Sequence, residues 1–300
     1  MNGGNRAMNK RADLAVRPLE FGHFAAWTLA RTLAQTVLAV FSAREAGEAM
    51  LSHHKLKVYG KGVAVVASLG KHLVQWDKRH AVVDQLGRAS ESIVLNLVEG
   101  VRLRRSAQKQ QLLDYAVGSA LECAACVDIA VIKQFLAPEL GALEKGSLGE
   151  VVRMLVGLRR SWEKDLLQED PPVYGGSVRA EPPRWYFAHE PLEIYQVSLS
   201  LMRWFNALPS GAELASRLYR QVDKAATSLI LNLAEGYGRT WESDRLRFFE
   251  TAESSAVKAA AYLDLCVAKA ELEIEQREPG MDLLTRIVLM LRALDGSSSG

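Results

Sequence analysis

"SIVLNLVEG" at Ser92–Gly100 and "SLILNLAEG" at Ser228–Gly236 are one phrase written twice. Ser and Asn suit a helix interior poorly, because their short polar side chains compete with the backbone for hydrogen bonds. The surrounding residues nevertheless keep helical spacing. Ala89, Ile93 and Leu97 form one apolar stripe, and Ser92, Asn96 and Glu99 form a polar stripe beside it. Ser228, Asn232 and Glu235 repeat the polar stripe in the second phrase. An unpartnered buried amide costs roughly 1–3 kcal/mol, so such a stripe is expected to bond to a neighbouring helix or loop. Gly100 and Gly236, following each Glu, suit the left-handed residue that ends many helices.

The repeat extends well beyond the phrase. "LKVY" at Leu56–Tyr59 matches "LEIY" at Leu192–Tyr195, Asp128 matches Asp264, and "VVRML" from Val151 matches "IVLML" from Ile287, each pair 136 positions apart like Asn96 and Asn232. A duplicated domain follows. Between the copies, "EDPPVYGGSVRAEPPRWYFAHEP" holds five of the nine prolines and reads as a linker. Periodicity is helical throughout each copy. In the first, helices are expected near Leu56–Trp76, His80–Glu99, Ser106–Phe135 and Leu148–Gln168. In the second, "LPSG" at Leu208–Gly211, the glycines Gly236 and Gly238, and "EPG" at Glu278–Gly280 are expected to separate four helices. Short connections imply antiparallel neighbours. The expected fold is therefore all-α: two tandem up-down four-helix bundles, residues 56–168 and 192–295, joined by a Pro/Gly-rich linker at 169–191. Residues 1–55 form an extension with one amphipathic helix near Phe24–Leu51.

Composition narrows the function classes. With 37 basic and 35 acidic residues, no global field selects nucleic acid or a membrane. Three cysteines, Cys123, Cys126 and Cys266, are too few for a disulfide framework and favour a reducing, cytoplasmic setting. The most membrane-like stretch, Phe24–Phe41, is broken by Arg31 and Gln35, so neither a spanning helix nor a signal peptide is expected. Cys123 and Cys126 sit among alanines without a second pair, and the six histidines show no paired ligand spacing. No metal, no cofactor and no Gly-rich phosphate loop are expected. The Ser-Asn-Glu stripe could in principle supply a nucleophile, an oxyanion donor and a base, but no His or Lys recurs beside it, so no catalytic residue is assigned.

Taken together, "LKVY", "RASESIVLNLVEG" and "GSALE" (Gly118–Glu122), with "LEIY" and "KAATSLILNLAEGYGR", resemble the four-helix-bundle family of rRNA intervening-sequence proteins. That family includes the accessory variability determinant of diversity-generating retroelements. The resemblance implies a non-enzymatic bundle that oligomerises and uses a basic surface to hold nucleic acid beside a reverse transcriptase. This chain departs from the retroelement branch in being a tandem pair and nearly neutral, so no ring size is carried over.

Charge differs between the copies. Residues 56–168 hold 16 basic and 12 acidic groups, whereas 192–295 hold 12 and 15. The richest basic cluster is Arg102, Arg104, Arg105 and Lys109, at the turn between helices two and three, where four cations could grip phosphates. Its counterpart is Arg239, Arg245 and Arg247, diluted by Glu242, Asp244 and Glu250. Aromatic residues are not interleaved with the first cluster, so base stacking is not indicated. RNA or DNA, a protein partner such as a reverse transcriptase, and a second copy of the chain are the expected partners. The competing expectation is a pure protein-interaction module assembling through its unlike-charged copies.

Overall fold

The computed structural model describes residues 52–103, 106–164, 186–208 and 214–296. The helix expected near Phe24–Leu51, Arg104, Arg105, most of the linker and the "PSG" of the second copy's first turn lie outside the described residues. After a short 3-10 turn at Ser52–Lys55, the first copy contributes α1 (Lys57–Leu73), α2 (Ala81–Arg102), α3 (Ser106–Ile132) and α4 (Pro138–Lys164). The second contributes α5 (Glu193–Ala207), α6 (Arg217–Tyr237), α7 (Glu242–Ala268) and α8 (Ile274–Gly296). Within each copy every helix packs on the next and the fourth closes on the first, giving two tandem four-helix bundles.

The copies share local chemistry as well as topology. α3 and α7 both end in a left-handed residue, Gln134 (φ 60°) and Ala270 (φ 53°), 136 positions apart. Next to them, the amide of Phe135 donates to the Ala130 carbonyl at 2.9 Å, and that of Glu271 to Cys266 at 2.8 Å. These are Schellman closures made without glycine. By contrast, the glycines expected to end helices do not. Gly100 and Gly236 lie inside α2 and α6, and no glycine among the described residues has positive φ. Gly236 is required by packing: a Cβ there would stand 2.7 Å from the Phe249 ring and 3.0 Å from the Phe248 Cβ.

Two helix starts also depart from expectation. α4 begins at Pro138, ten residues before Leu148, because proline suits the first helical turn, where its missing N–H costs nothing. "EPG" does not introduce α8, which starts at Ile274 and runs through Pro279. Gly280 is there because the Trp204 indole lies against it; a Cβ would meet that ring at 2.3 Å.

The bundles pack on each other through α3, which runs antiparallel to α6. At one end, the Lys133 ammonium stands 2.6 Å from Asp223, with both side chains essentially without exposure, and Asp223 also accepts the Ala81 amide at 3.0 Å. Midway, Tyr195 of α5 donates to Asp128 at 2.9 Å, and Lys145 of α4 reaches Asp128 at 2.8 Å and Glu190 at 2.9 Å. Toward the other end, Gly238 lies on Leu121 and the Arg239–Glu235 pair on Gly118. Placed between its own bundle and the second, α3 is apolar on nearly every side. By length and composition it could cross a membrane, but most of that stretch is buried inside the protein.

Candidate nucleic-acid interface

In both copies the repeated Ser and Asn form the same hydrogen-bonded set with helix three. Ser92 Oγ and Ser119 Oγ are 2.8 Å apart, and Asn96 Nδ2 donates to both the carbonyl and the hydroxyl of Ser92 at 2.9 Å. In the second copy the Ser228–Ser255 distance is 3.0 Å, and Asn232 Nδ2 donates to the Ser228 carbonyl at 2.7 Å and its hydroxyl at 3.2 Å. Ser119 and Ser255 are the partners the polar stripe needs, and their identical offset was the available signal for them. The third member of the stripe diverges. Glu99 is exposed, whereas Glu235 is half-buried and accepts from Arg239.

Because α6 runs antiparallel to α3, the α2–α3 and α6–α7 turns come to one end of the molecule. Arg159 of α4 fastens them together. Its guanidinium pairs with Asp114 of α3 and donates to the Thr240 hydroxyl at 2.7 Å, and Thr240 in turn donates to Asp114 at 3.2 Å. This end holds most of the candidate cations from both copies. Arg102 and Arg247 are exposed, Arg245 is half-buried, and Arg160 of α4 is exposed alongside. Lys109 lies 4.7 Å over the Trp162 ring, an aromatic that sequence spacing had not placed near the cluster. Trp241, 54% exposed, begins the second copy's contribution. Arg104 and Arg105 belong to the same turn in sequence but lie outside the described residues.

Arg239 does not belong to that exposed set. It is 7% exposed, with its guanidinium 4.7 Å from both the Tyr115 and Phe248 rings, one from each copy. The cation is thus held by two aromatic faces and Glu235, where a phosphate cannot replace water around it. Beside it, a cleft of about 390 Å³ opens between the copies, with Ser92, Asn96, Ser119, Glu235 and Arg247 among its walls. Glu122 faces this junction, and its carboxyl is pushed up to about 7 by burial and then by Glu235, against the pull of Arg88 and Arg239. Ser92 has Ser119 and Asn96 as hydrogen-bond neighbours, and among the described residues the cleft's lining holds no His or Lys.

Cys123 and Cys126 are fully buried, and that burial holds both thiols well above their ordinary range. Among the described residues no group of three or more His, Cys, Asp or Glu could hold a metal ion.

Fold and site together define a tandem helical-bundle protein that pools the helix-two to helix-three turns of its copies at one end. The family model described as 23S rRNA-intervening sequence protein matches residues 54–157 and again residues 190–293, together more than half of the chain, and the chain belongs to that family. The two matches are offset by the same 136 positions as the repeated phrase. No curated protein and no solved structure matches the chain.

Proposed function

We propose that this chain is a non-catalytic accessory scaffold of the cytoplasm that self-associates and holds nucleic acid, alone or beside a nucleic-acid enzyme such as a reverse transcriptase, at the end where its two turns meet. The observation that carries the reading is the convergence there of Arg102, Lys109 and Arg160 from the first copy with Arg245 and Arg247 from the second, tied by Arg159, Asp114 and Thr240. Arg104 and Arg105, outside the described residues, belong to the proposal by their sequence position beside Arg102. Trp162 and Trp241 lie among these cations and supply apolar faces to a backbone-gripping surface. The paired Ser and Asn residues hold each helix-two to helix-three corner in shape.

The test is a salt titration of RNA and DNA binding by the full chain and by the variant Arg102→Gln, Arg104→Gln, Arg105→Gln, Lys109→Gln. Each lost phosphate contact should flatten the dependence of log K on log salt by about 0.7 for single strands and about 0.9 for duplex DNA, with helicity unchanged. Equal affinity and slope in the two proteins would remove the site. One observation favours the alternative of a protein-interaction module: the second copy carries fewer basic than acidic groups, 12 against 15. A chain indifferent to RNA and DNA at low salt would establish that alternative.

A further inference from the structure

The interface between the copies joins unlike faces. Helix three of the first copy, α3, presents Asp114, Gly118, Leu121, Asp128 and Ile132 to helices one and two of the second and to the turn after helix two. The second copy answers with the α6 stripe Asp223, Thr227, Leu231, Glu235 and Gly238, buried except for half-buried Glu235 and Gly238. An interface of that kind leaves one face of each sort uncovered. A shift of 136 positions identifies them. On α7 the counterparts of the α3 face are Glu250, Ser254, Val257, Asp264 and Ala268, all exposed. On α2 the counterparts of the α6 stripe are Gly87, Glu91, Leu95, Glu99 and Arg102, all exposed except half-buried Gly87.

Both open faces carry exposed apolar side chains among their charged ones. Val257 (52%) and Leu265 (46%) stand out on α7, and Leu95 (65%) on α2, with Val74 (83%) at the end of α1. Leu231, the counterpart of Leu95, is only 3% exposed, which shows how such a side chain fares once helix three of another bundle covers it. Between α1 and α2 lies a groove of about 530 Å³ walled by Leu73, Val74, Gly87 and Glu91. It surrounds the position equivalent to Asp223, where Lys133 enters the second bundle.

We propose that the α7 face of one chain docks on the α1–α2 face of another, repeating between molecules the contact that joins the two copies within one. The charges support this pairing. Inside the chain Glu122 lies near Glu235, a like-charged pair that Arg239 must moderate. The equivalent positions between chains are Lys258 and Glu99, which attract. Lys269, the counterpart of Lys133, is exposed and would enter the groove beside Glu91, the groove's other charges being Lys78 and the Arg88–Asp84 pair. Since the two faces differ, each chain offers one of each, and assembly proceeds head to tail. The proposal rests on the self-association named above and specifies its surfaces; docking would cover Arg102 and leave Lys109, Arg160, Arg245 and Arg247 to nucleic acid, and the assembly does not depend on that binding.

Light scattering on the full chain at low salt and rising concentration is the test, with Leu95→Glu and Val257→Glu as single-face variants. Both side chains are exposed, so far-UV circular dichroism should match the unaltered protein. The unaltered chain should grow in multiples of 33.1 kDa, and each variant alone should stay monomeric. An equimolar mixture of the two variants should stop at a dimer, because each supplies the face the other lacks. Glu99→Lys and Lys258→Glu should each weaken assembly at least tenfold, and a chain carrying both should recover it. Assembly that survives both single-face variants would overturn these surfaces while leaving self-association standing. An unaltered chain that stays monomeric at every concentration would overturn both.

Discussion

α3 and α7 occupy the same place in two copies of one bundle, keep the same Ser contact to helix two and end in the same left-handed closure, yet their outer faces differ. On α3 that face holds Gly118 and Leu121, buried against the second copy, and the buried Ile129 follows on the same helix. On α7 the same positions hold Ser254, Val257 and Leu265, all exposed. Duplication therefore preserved what each bundle needs internally and freed one face to become an interior of a different kind. The difference teaches that burial in this molecule has two sources, closure of a bundle and docking of one bundle on the other, and that substitutions can separate them.

The sharpest separation is expected at Asp223. Asp223→Ala leaves the Lys133 ammonium buried without its partner and should cost about 3–5 kcal/mol in chemical denaturation. Its counterpart in the first copy is already Gly87, inside α2, where a Cβ meets only Leu73 at 3.7 Å, so Gly87→Ala should stabilise by up to about 1 kcal/mol through helix propensity. Next come the glycines of the repeated phrase. Gly236→Ala forces a methyl against Phe249 and should destabilise by about 1–3 kcal/mol. Gly100→Ala meets nothing nearer than 3.5 Å and should stabilise by up to about 1 kcal/mol through helix propensity. Equal effects at the two glycines would show that the copies are not as differently packed as described.

A third test uses pH. With its carboxyl pushed up to about 7 from an unfolded value of 4.5, Glu122 binds its proton more tightly in the folded state. Its contribution to stability is therefore lost as pH rises from about 4.5 to 7, and above that range the buried carboxylate is a constant penalty. Glu122→Gln should consequently stabilise the protein by roughly 1–3 kcal/mol at pH 8 and by little at pH 5, as read from denaturation midpoints. The smallest effect distinguishes nothing between the copies, and that is its use. Ser119→Ala and Ser255→Ala should each cost about 1 kcal/mol through loss of the equivalent bond to helix two, Ser255 giving up in addition its exchangeable bond to the Thr251 carbonyl at 2.8 Å.

The fold was legible because its signals are local and repeated. Asn96 and Asn232 lie on helical stripes, and a constant offset of 136 positions carries the register through both copies. Features that depend on contact between copies were not legible. Arg239 reads in sequence as one of three surface cations, but the rings that cover it, Tyr115 and Phe248, come from different bundles. Gly236 and Gly280 read as punctuation, since sequence cannot distinguish a glycine that turns the chain from one that makes room for Phe249 or Trp204. Gln134 and Ala270 show the converse: two real helix closures that no glycine announces.

The difference between α3 and α7 is tested most directly by thiol labelling of Leu121→Cys and Val257→Cys, each in a Leu95→Glu background that keeps the chain monomeric. The native cysteines are all buried, so the introduced thiol reports its own surroundings. Position 257 should label at close to the rate of a free thiol, and position 121 at least a hundredfold more slowly. Equal rates at the two positions would mean that the second bundle does not cover α3, and the division between a shared interior and unlike exteriors would fall.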